Sequence, residues 1–383
     1  MEKSTSVGGT PLTLALLEAA MQEAFSKEDS LSLQSFQAEQ IGIGQGFLSK
    51  IFRLELNWAE DTDVAVPRKA VAKIPVKDGI RQFMANSPKE LLETQLELLP
   101  TYHGHEVKIL NYFRLQSPSI PLPTVYKAQE MDENGFGYIL MEDLSDKGIT
   151  LGFTSRLNLE QANSVIDAIA GLHAYGFQHP HLLEKFPSMG AFMEHMIEIS
   201  PGSDFEELVE MKPEFFADKR GKVEVVRFAE WQAAEDRVRE EVGLPNALCH
   251  GDIHTNNMLF RKQDTNSLLA LLDWQFHFSL KHSLVNVGSP LNDLVRVANV
   301  MGTELRRRGL DNLLARYHRR IQPYAPAQFT LEKLKAAYAI AWPVQVGLMA
   351  TALAPILKSP AFQDKPEVVE SWLIMARDMI EEI

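Results

Sequence analysis

Asp252, Asn257 and Asp273 are the residues whose types and spacing point most directly to chemistry. They stand in His250-Gly251-Asp252-Ile253-His254-Thr255-Asn256-Asn257 and in Asp273-Trp274-Gln275. A lone carboxylate precedes an amide by five residues, and a second carboxylate follows about twenty residues after the first. Phosphoryl transfer needs such a set. One Asp accepts or orients the acceptor hydroxyl, while an Asn and a second Asp hold the metal that neutralises the phosphates. Asn and Asp supply the hard oxygens that Mg²⁺ requires. No general-acid partner for Asp252 is fixed by the sequence, which suits a carboxylate that mainly positions a hydroxyl. Apolar residues flank both motifs, at 247–249, 258–260 and 268–272. They read as short buried strands with polar residues at their ends. A polar cluster held among apolar strands is costly unless paired or metal-bound, so it marks a site.

Other residues could join it. Gly42-Ile43-Gly44-Gln45-Gly46-Phe47-Leu48-Ser49 lies between two expected strands. Glycines let backbone N–H groups approach phosphate oxygens closely. The spacing is neither GxGxxG nor a P-loop, so a plain hairpin is the competing reading of Gly44 and Gly46. Ser49 could add a hydroxyl donor. Lys73 sits inside Val71-Ala72-Lys73-Ile74. It either snorkels to water from a sheet edge or aims its charge at phosphates. Glu106 could brace it, although Glu90, Glu93 and Glu97 compete for that role. His250 and His254 have the i, i+4 spacing of zinc ligands, but they fall in an expected loop without the HExxH glutamate. Cys249 reads as a packed strand residue and His173 as a core histidine.

These residues must be held by two kinds of scaffold. Residues 12–25 follow a helical pattern. Residues 36–43, 47–58, 70–76, 125–130 and 137–141 read as strands, with a turn at 132–135. A helical segment at 88–115, with a break near 100–104, lies among them. Residues 1–10 read as polar and mobile. Beyond Leu144 the pattern is mainly helical: 159–175, most of 186–242, 293–307, 331–357 and 368–380. The expected class is therefore α+β: a sheet-rich unit at 1–143, with 1–30 as a leading helical extension, and a helical unit at 144–383. The chain has 383 residues, 45% apolar and 23% charged, which suits two soluble cores. A formal charge of −13 argues against a nucleic-acid binder. One cysteine permits no intrachain disulfide. With no signal-peptide pattern and no expected membrane span, this gives a cytoplasmic expectation. Nothing in the pattern specifies an oligomeric state.

Together these motifs resemble the aminoglycoside-phosphotransferase and choline-kinase superfamily of small-molecule kinases, most of all its ecdysteroid-kinase-like (CHK-kinase-like) group. The residues that carry the resemblance are Gly44–Ser49, Met141-Glu142-Asp143-Leu144, His250-Gly251-Asp252 with Asn257, and Asp273-Trp274-Gln275. It runs from about residue 35 to 350. It implies a bilobal protein-kinase-like fold, with a small antiparallel-sheet N-lobe carrying one main helix and a larger helical C-lobe. ATP and Mg²⁺ are the implied cofactors. Lys73 would contact phosphates, Glu106 would brace it, and Glu142 and Leu144 would offer backbone groups to adenine at the interlobe hinge. Asp252 becomes the catalytic base, Asn257 and Asp273 the Mg²⁺ ligands, and Asp293 an organiser of the loop. Two departures stand out. His254 replaces a Trp carried by many members of the closest group. The stretch 276–290, with Lys281 and His282, is longer than usual, and it either reshapes the acceptor entrance or is a surface loop.

The expected activity is transfer of the γ-phosphate of ATP to a hydroxyl of a small molecule: a steroid-like, glycoside or choline-like alcohol. A protein kinase fits less well. The HGD motif lacks the Arg that grips an activation-loop phosphate, and only about twenty residues separate Asp273 from Asp293. A catalytically inactive nucleotide-binding protein on the same scaffold is the alternative from another class. Trp342, Met349 and Leu353 form either an apolar acceptor wall or a helix–helix core. Glu206, Glu207, Glu210 and Glu214 look like a solvated helix face.

Overall fold

Phe52, Leu54, Leu56 and Trp58 alternate with less buried residues, and a strand turns every second side chain to one face. In the computed structural model all four are buried on one face of an antiparallel sheet. The structure describes residues 6–25, 31–43, 48–60, 66–85, 89–116, 119–184, 205–223, 228–243, 246–274 and 286–383. The chain divides into two units, Met1–Ser117 with Leu122–Asp146, and Pro118–Pro121 with Lys147–Ile383.

The first unit holds β1 (Leu33–Ile41), β2 (Ser49–Trp58), β3 (Lys69–Pro75), β4 (Val125–Gln129) and β5 (Tyr138–Glu142). They pair antiparallel in the order β1-β2-β3-β5-β4. Ala70, Ala72 and Ile74 of β3 share a core with the inward residues of β2 and with Leu14, Leu17 and Met21 of helix α1 (Leu14–Phe25). Period two therefore puts Lys73 on the opposite face of β3. Helices α2 (Lys77–Phe83) and α3 (Lys89–Gln116) follow β3. Two expectations are corrected here. Val7, in the stretch read as mobile, is fully buried, and its N–H bonds Leu12 O at 2.8 Å. Helix α3 does not break near Pro100 but runs through it. Proline removes one helical donor. Side chains span the gap, because Tyr102 Oη donates to Gln95 Oε1 at 2.8 Å and His103 Nε2 meets Gln129 O at 2.7 Å.

The second unit is mainly helical. Its α4 (Leu159–Gln178) starts on a reciprocal cap between Asn158 and Gln161. Close packing of α4 on β7 (Ala247–Cys249) depends on Gly176, where a Cβ would stand 2.9 Å from Leu248 N. Strand β6 (Gly148–Thr150) pairs with β8 (Met258–Arg261), which pairs with β9 (Leu268–Leu271). β10 (Asn286–Gly288) pairs with β7. Strands β6 and β10, with a single large apolar residue each, leave no apolar run in the sequence. The helix expected at 293–307 is two helices, Leu291–Asn299 and Thr303–Ile321, with Gly302 at the second N-cap. Helix Leu331–Leu357 is long and apolar enough to cross a membrane by length and composition alone. It packs on the helices Phe205–Met211, Phe228–Val242, Leu291–Asn299, Thr303–Ile321 and Pro366–Glu381. Trp342 and Leu353 are buried in that packing.

Candidate active site

In the first unit Lys73 is only 5% exposed. Its Nζ lies 2.8 Å from the carboxylate of Glu106, itself 2% exposed, on α3. The ion pair selects Glu106 from its neighbours: Glu90, Glu93 and Glu97 stand on the more exposed turns at the start of the helix. His103, one turn earlier, is buried, and burial lowers its pKa to about 4. It is therefore neutral, and a positive charge is concentrated on Lys73. Ser49 begins β2, and its buried Oγ has no hydrogen-bond partner among the described residues. Gly44, Gln45, Gly46 and Phe47 lie outside the described residues. Glu142 ends β5, and its N–H donates to Thr124 O at 2.8 Å. Its N–H is therefore already engaged. Leu144 is buried two residues on.

In the second unit the two sequence motifs are tied together by hydrogen bonds. The Asp252 N–H donates to His250 Nδ1 at 3.2 Å, so the imidazole proton belongs on Nε2. Nε2 faces Leu272 O at 3.2 Å, next to Asp273. Burial lowers the His250 pKa, with Asp293, Asp252 and Asp273 pulling the other way, and the ring is held neutral. Its centroid is 4.6 Å from that of Trp274. Leu272 N–H also donates to Asn257 O at 2.8 Å. Asp273, between these anchors, has φ 59 and is the sole non-glycine residue with positive φ among those described. Asp tolerates this region better than most residues. Such strain persists where surrounding structure over-determines it, as these bonds do here.

Asn257 Nδ2 donates to Asp252 Oδ2 at 3.0 Å and to Asp252 O at 3.1 Å. The amide is thereby oriented, with Oδ1 as its acceptor end. Asp252 and Asn257 thus act as one unit. His254 also approaches Asp252, with Nε2 3.5 Å from Oδ2.

Beneath the motif lies Asp293, fully buried. Its Oδ2 accepts from His250 N and its Oδ1 from Gly251 N, each at 2.7 Å. Gly251 has φ 78, which a side chain would strain. His173 Nε2 lies 3.3 Å from Asp293 Oδ2, and His173 Nδ1 meets Tyr317 Oη at 2.8 Å. Burial works against the Asp293 charge, but the His173 hydrogen bond, the nearby His173 and His250 rings and the Gly251 N–H outweigh it. The carboxyl is held below its ordinary value. His173 was expected to be a packed core residue; it is buried, and it also positions this loop. Tyr317 carries no signal in the sequence pattern. Burial lowers the pKa of Arg296, one turn beyond Asp293, with the Asp252 and Asp293 carboxylates pulling the other way.

His173, Cys249 and Asp293 bring three potential metal-ligand atoms within 4.8 Å. Their chemistry is already committed. Cys249 is fully buried, its thiol pKa is pushed well up by burial, and it points at Ser289 O at 3.5 Å and Gly288 O at 3.7 Å. A protonated thiol is a poor metal ligand. Glu206 pairs with Arg220, Glu207 with Lys358 and Glu214 with Lys212, so those carboxylates are spent on surface ion pairs. Gln275, Lys281 and His282, and residues 275–285 as a whole, lie outside the described residues.

A family profile named DUF1679, described as "Uncharacterized oxidoreductase dhs-27", matches residues 1–382. The chain belongs to the DUF1679 family. This DUF1679 chain is 24% identical over 321 residues to the Caenorhabditis elegans protein "Uncharacterized oxidoreductase dhs-27", covering 78% of this chain and 36% of that protein. It thus spans about a third of that relative's length. It is also 24% identical over 287 residues to "Uncharacterized kinase-like protein D1044.1" of Caenorhabditis elegans, 70% of each chain. Among solved structures it is similar to a proposed aminoglycoside phosphotransferase from Ralstonia eutropha JMP134. The TM-score is 0.50 at 14% identity, covering 95% of this chain and 97% of that one. That likeness gives the fold: the DUF1679 chain has an α+β, protein-kinase-like architecture, antiparallel sheet first and helices after.

Proposed function

We propose that this chain is an ATP- and Mg²⁺-dependent phosphotransferase that moves the γ-phosphate to a hydroxyl of a small molecule. One observation carries the reading: Asp252, Asn257 and Asp273 are bound into a single hydrogen-bonded arrangement through His250 and Leu272. A structural turn has no need of a strained Asp and an amide locked onto a second carboxylate.

Asp252 orients the acceptor hydroxyl and takes its proton as the oxygen attacks the γ-phosphorus. The new O–P bond forms as the bond to the β,γ-bridging oxygen breaks, and ADP leaves. Asn257 Oδ1 and the Asp273 carboxylate fit Mg²⁺ by donor type, hard oxygens with room for phosphate and water ligands. Bound there, the ion would neutralise phosphate charge. Lys73, kept straight by Glu106, serves the phosphates. The loop with Gly44 and Gly46 and the Ser49 hydroxyl would cap them, and the Glu142 carbonyl with the Leu144 N–H would receive adenine. The motifs favour the ecdysteroid-kinase-like branch, and the single cysteine fits a cytoplasmic setting.

The family description speaks of an oxidoreductase, yet this chain covers 36% of that relative. Dinucleotide folds use a parallel sheet. Among the described residues every strand pair within the sheets is antiparallel.

Calorimetry with Mg·ATP tests the nucleotide reading: we expect saturable binding, and none would remove it. ATP consumption should then be screened across steroid, glycoside and choline-like alcohols, with phosphorus NMR of the product. A phosphate ester on the alcohol is expected. Phosphate on a protein side chain would favour a protein kinase, and binding without turnover an inactive nucleotide-binding protein.

A further inference from the structure

We infer that His254 is a positioning residue for Asp252, holding the carboxylate in its working orientation through a donated N–H. The inference rests on the phosphotransferase reading above and adds a residue that the fold and motifs leave without a role.

Three observations converge on it. His254 Nε2 stands 3.5 Å from Asp252 Oδ2, the oxygen that already receives Asn257 Nδ2 at 3.0 Å. A second donor drawn onto that oxygen would fix the plane of the carboxylate, which one donor leaves free to rotate. Second, the ring can present only one face of its chemistry there. His254 is the N-cap of the short turn Thr255–Asn257, and its Nδ1 accepts from Asn256 N at 3.3 Å. A neutral imidazole whose Nδ1 accepts must carry its proton on Nε2, the atom aimed at Asp252. Third, the ring is braced from behind. Phe153 stacks on it at 6.3 Å between centroids and 22°. Phe153 is in turn gripped by Trp372, edge-on at 5.7 Å, whose Nε1 donates to Phe153 O at 3.1 Å. Phe362 closes the other side at 6.3 Å. The His254 side chain is 36% exposed, so this brace covers one side of the ring and leaves the other open. At 3.5 Å the contact is longer than a formed hydrogen bond, and catalytic contacts of this kind often tighten only when substrate binds.

A cap alone would explain the Nδ1 bond, and the test separates the two roles. His254→Asn keeps a capping side chain but is too short to reach Asp252. His254→Gln places an N–H near the original Nε2 and loses the cap. The probe reaction is release of ADP from Mg·ATP with water as acceptor, paired with nitrogen-15 NMR of the imidazole. We expect the Nε2–H tautomer in the wild type, with a resonance displaced in Asp252→Asn. We expect kcat about tenfold lower in His254→Ala and His254→Asn, with the KM for ATP unchanged, and recovery in His254→Gln. Recovery in His254→Asn but not in His254→Gln would reduce His254 to a cap. An Nδ1–H tautomer, or a resonance indifferent to Asp252→Asn, would also overturn the proposal while leaving the kinase reading intact. A wild type that binds no Mg·ATP would overturn the kinase reading, and this proposal with it.

Discussion

Lys73 shows what one residue reveals in a sequence and what it hides. A lysine inside an apolar strand announces that it needs a partner, but the partner lies 33 residues away on another element. Only the rotational phase of α3 picks Glu106. The pair is buried on both sides. Removing one charge strands the other, which costs about 3–5 kcal/mol. Lys73→Met should therefore lower the urea midpoint markedly, and Lys73→Met with Glu106→Leu should recover most of it. Mg·ATP affinity, by calorimetry, should stay lost in both. Recovery of affinity in the double variant would remove Lys73 from the phosphate role. Asp252, Asn257 and Asp273 stand out in the sequence by type and spacing, and hydrogen bonds through His250 and Leu272 link them in the structure. Their mutual orientation was not legible, since it depends on the tautomer of His250 and the backbone of Asp273.

At the scale of elements, the turn after β7 is held from below by the helix Leu291–Asn299, through Asp293. The sequence marks Asp293 only by its place after the metal-type Asp. His173 and Tyr317, which hold it, come from two other helices, α4 and Thr303–Ile321, and no local pattern could join them. Asp293 has a folded pKa below its ordinary value. Its stabilisation is therefore complete above the unfolded value, about 4, and is lost as pH falls through the folded one. Asp293→Asn turns an amide NH₂ toward one of two buried backbone N–H groups, which should cost about 1–3 kcal/mol at pH 7. Urea midpoints of variant and wild type should converge below about pH 4. A gap that stays constant down to pH 3 would show that Asp293 does not act through its charge. The missed features at this scale, β6, β10 and the unbroken α3, share a cause. β6 and β10 each hold a single large apolar residue and so lack the apolar run that marks the equally short β7, and the packing around Pro100 overrides its local preference.

At the scale of the whole molecule, the division into a sheet-rich and a helical part was legible, because apolar periodicity changes from two to nearly four residues after Leu144. Three buried groups also set opposing pH slopes for the chain. Burial lowers His103 to about 4, so its contribution is lost as pH falls from about 6.5 toward 4, and His250 is shifted the same way. Burial raises Glu235 to about 7, against the Ser289 N–H and Arg239, so stability is lost as pH rises from about 4.5 toward 7. His103→Gln should keep the donor to Gln129 O and raise stability at pH 5 relative to wild type, by up to about 2 kcal/mol. Glu235→Gln should do so at pH 7.5. Urea titrations at both pH values check this, and equal effects at both would refute the assignment. The central claim is that Asp252 is the base of a phosphoryl transfer to a small alcohol. Its most direct test is phosphorus NMR of ATP turnover by wild type and Asp252→Asn with the responding alcohol. The account predicts a phosphate ester and ADP from the wild type, and formation at least roughly 10²-fold slower in Asp252→Asn with Mg·ATP binding retained. Equal rates in the two proteins would contradict it.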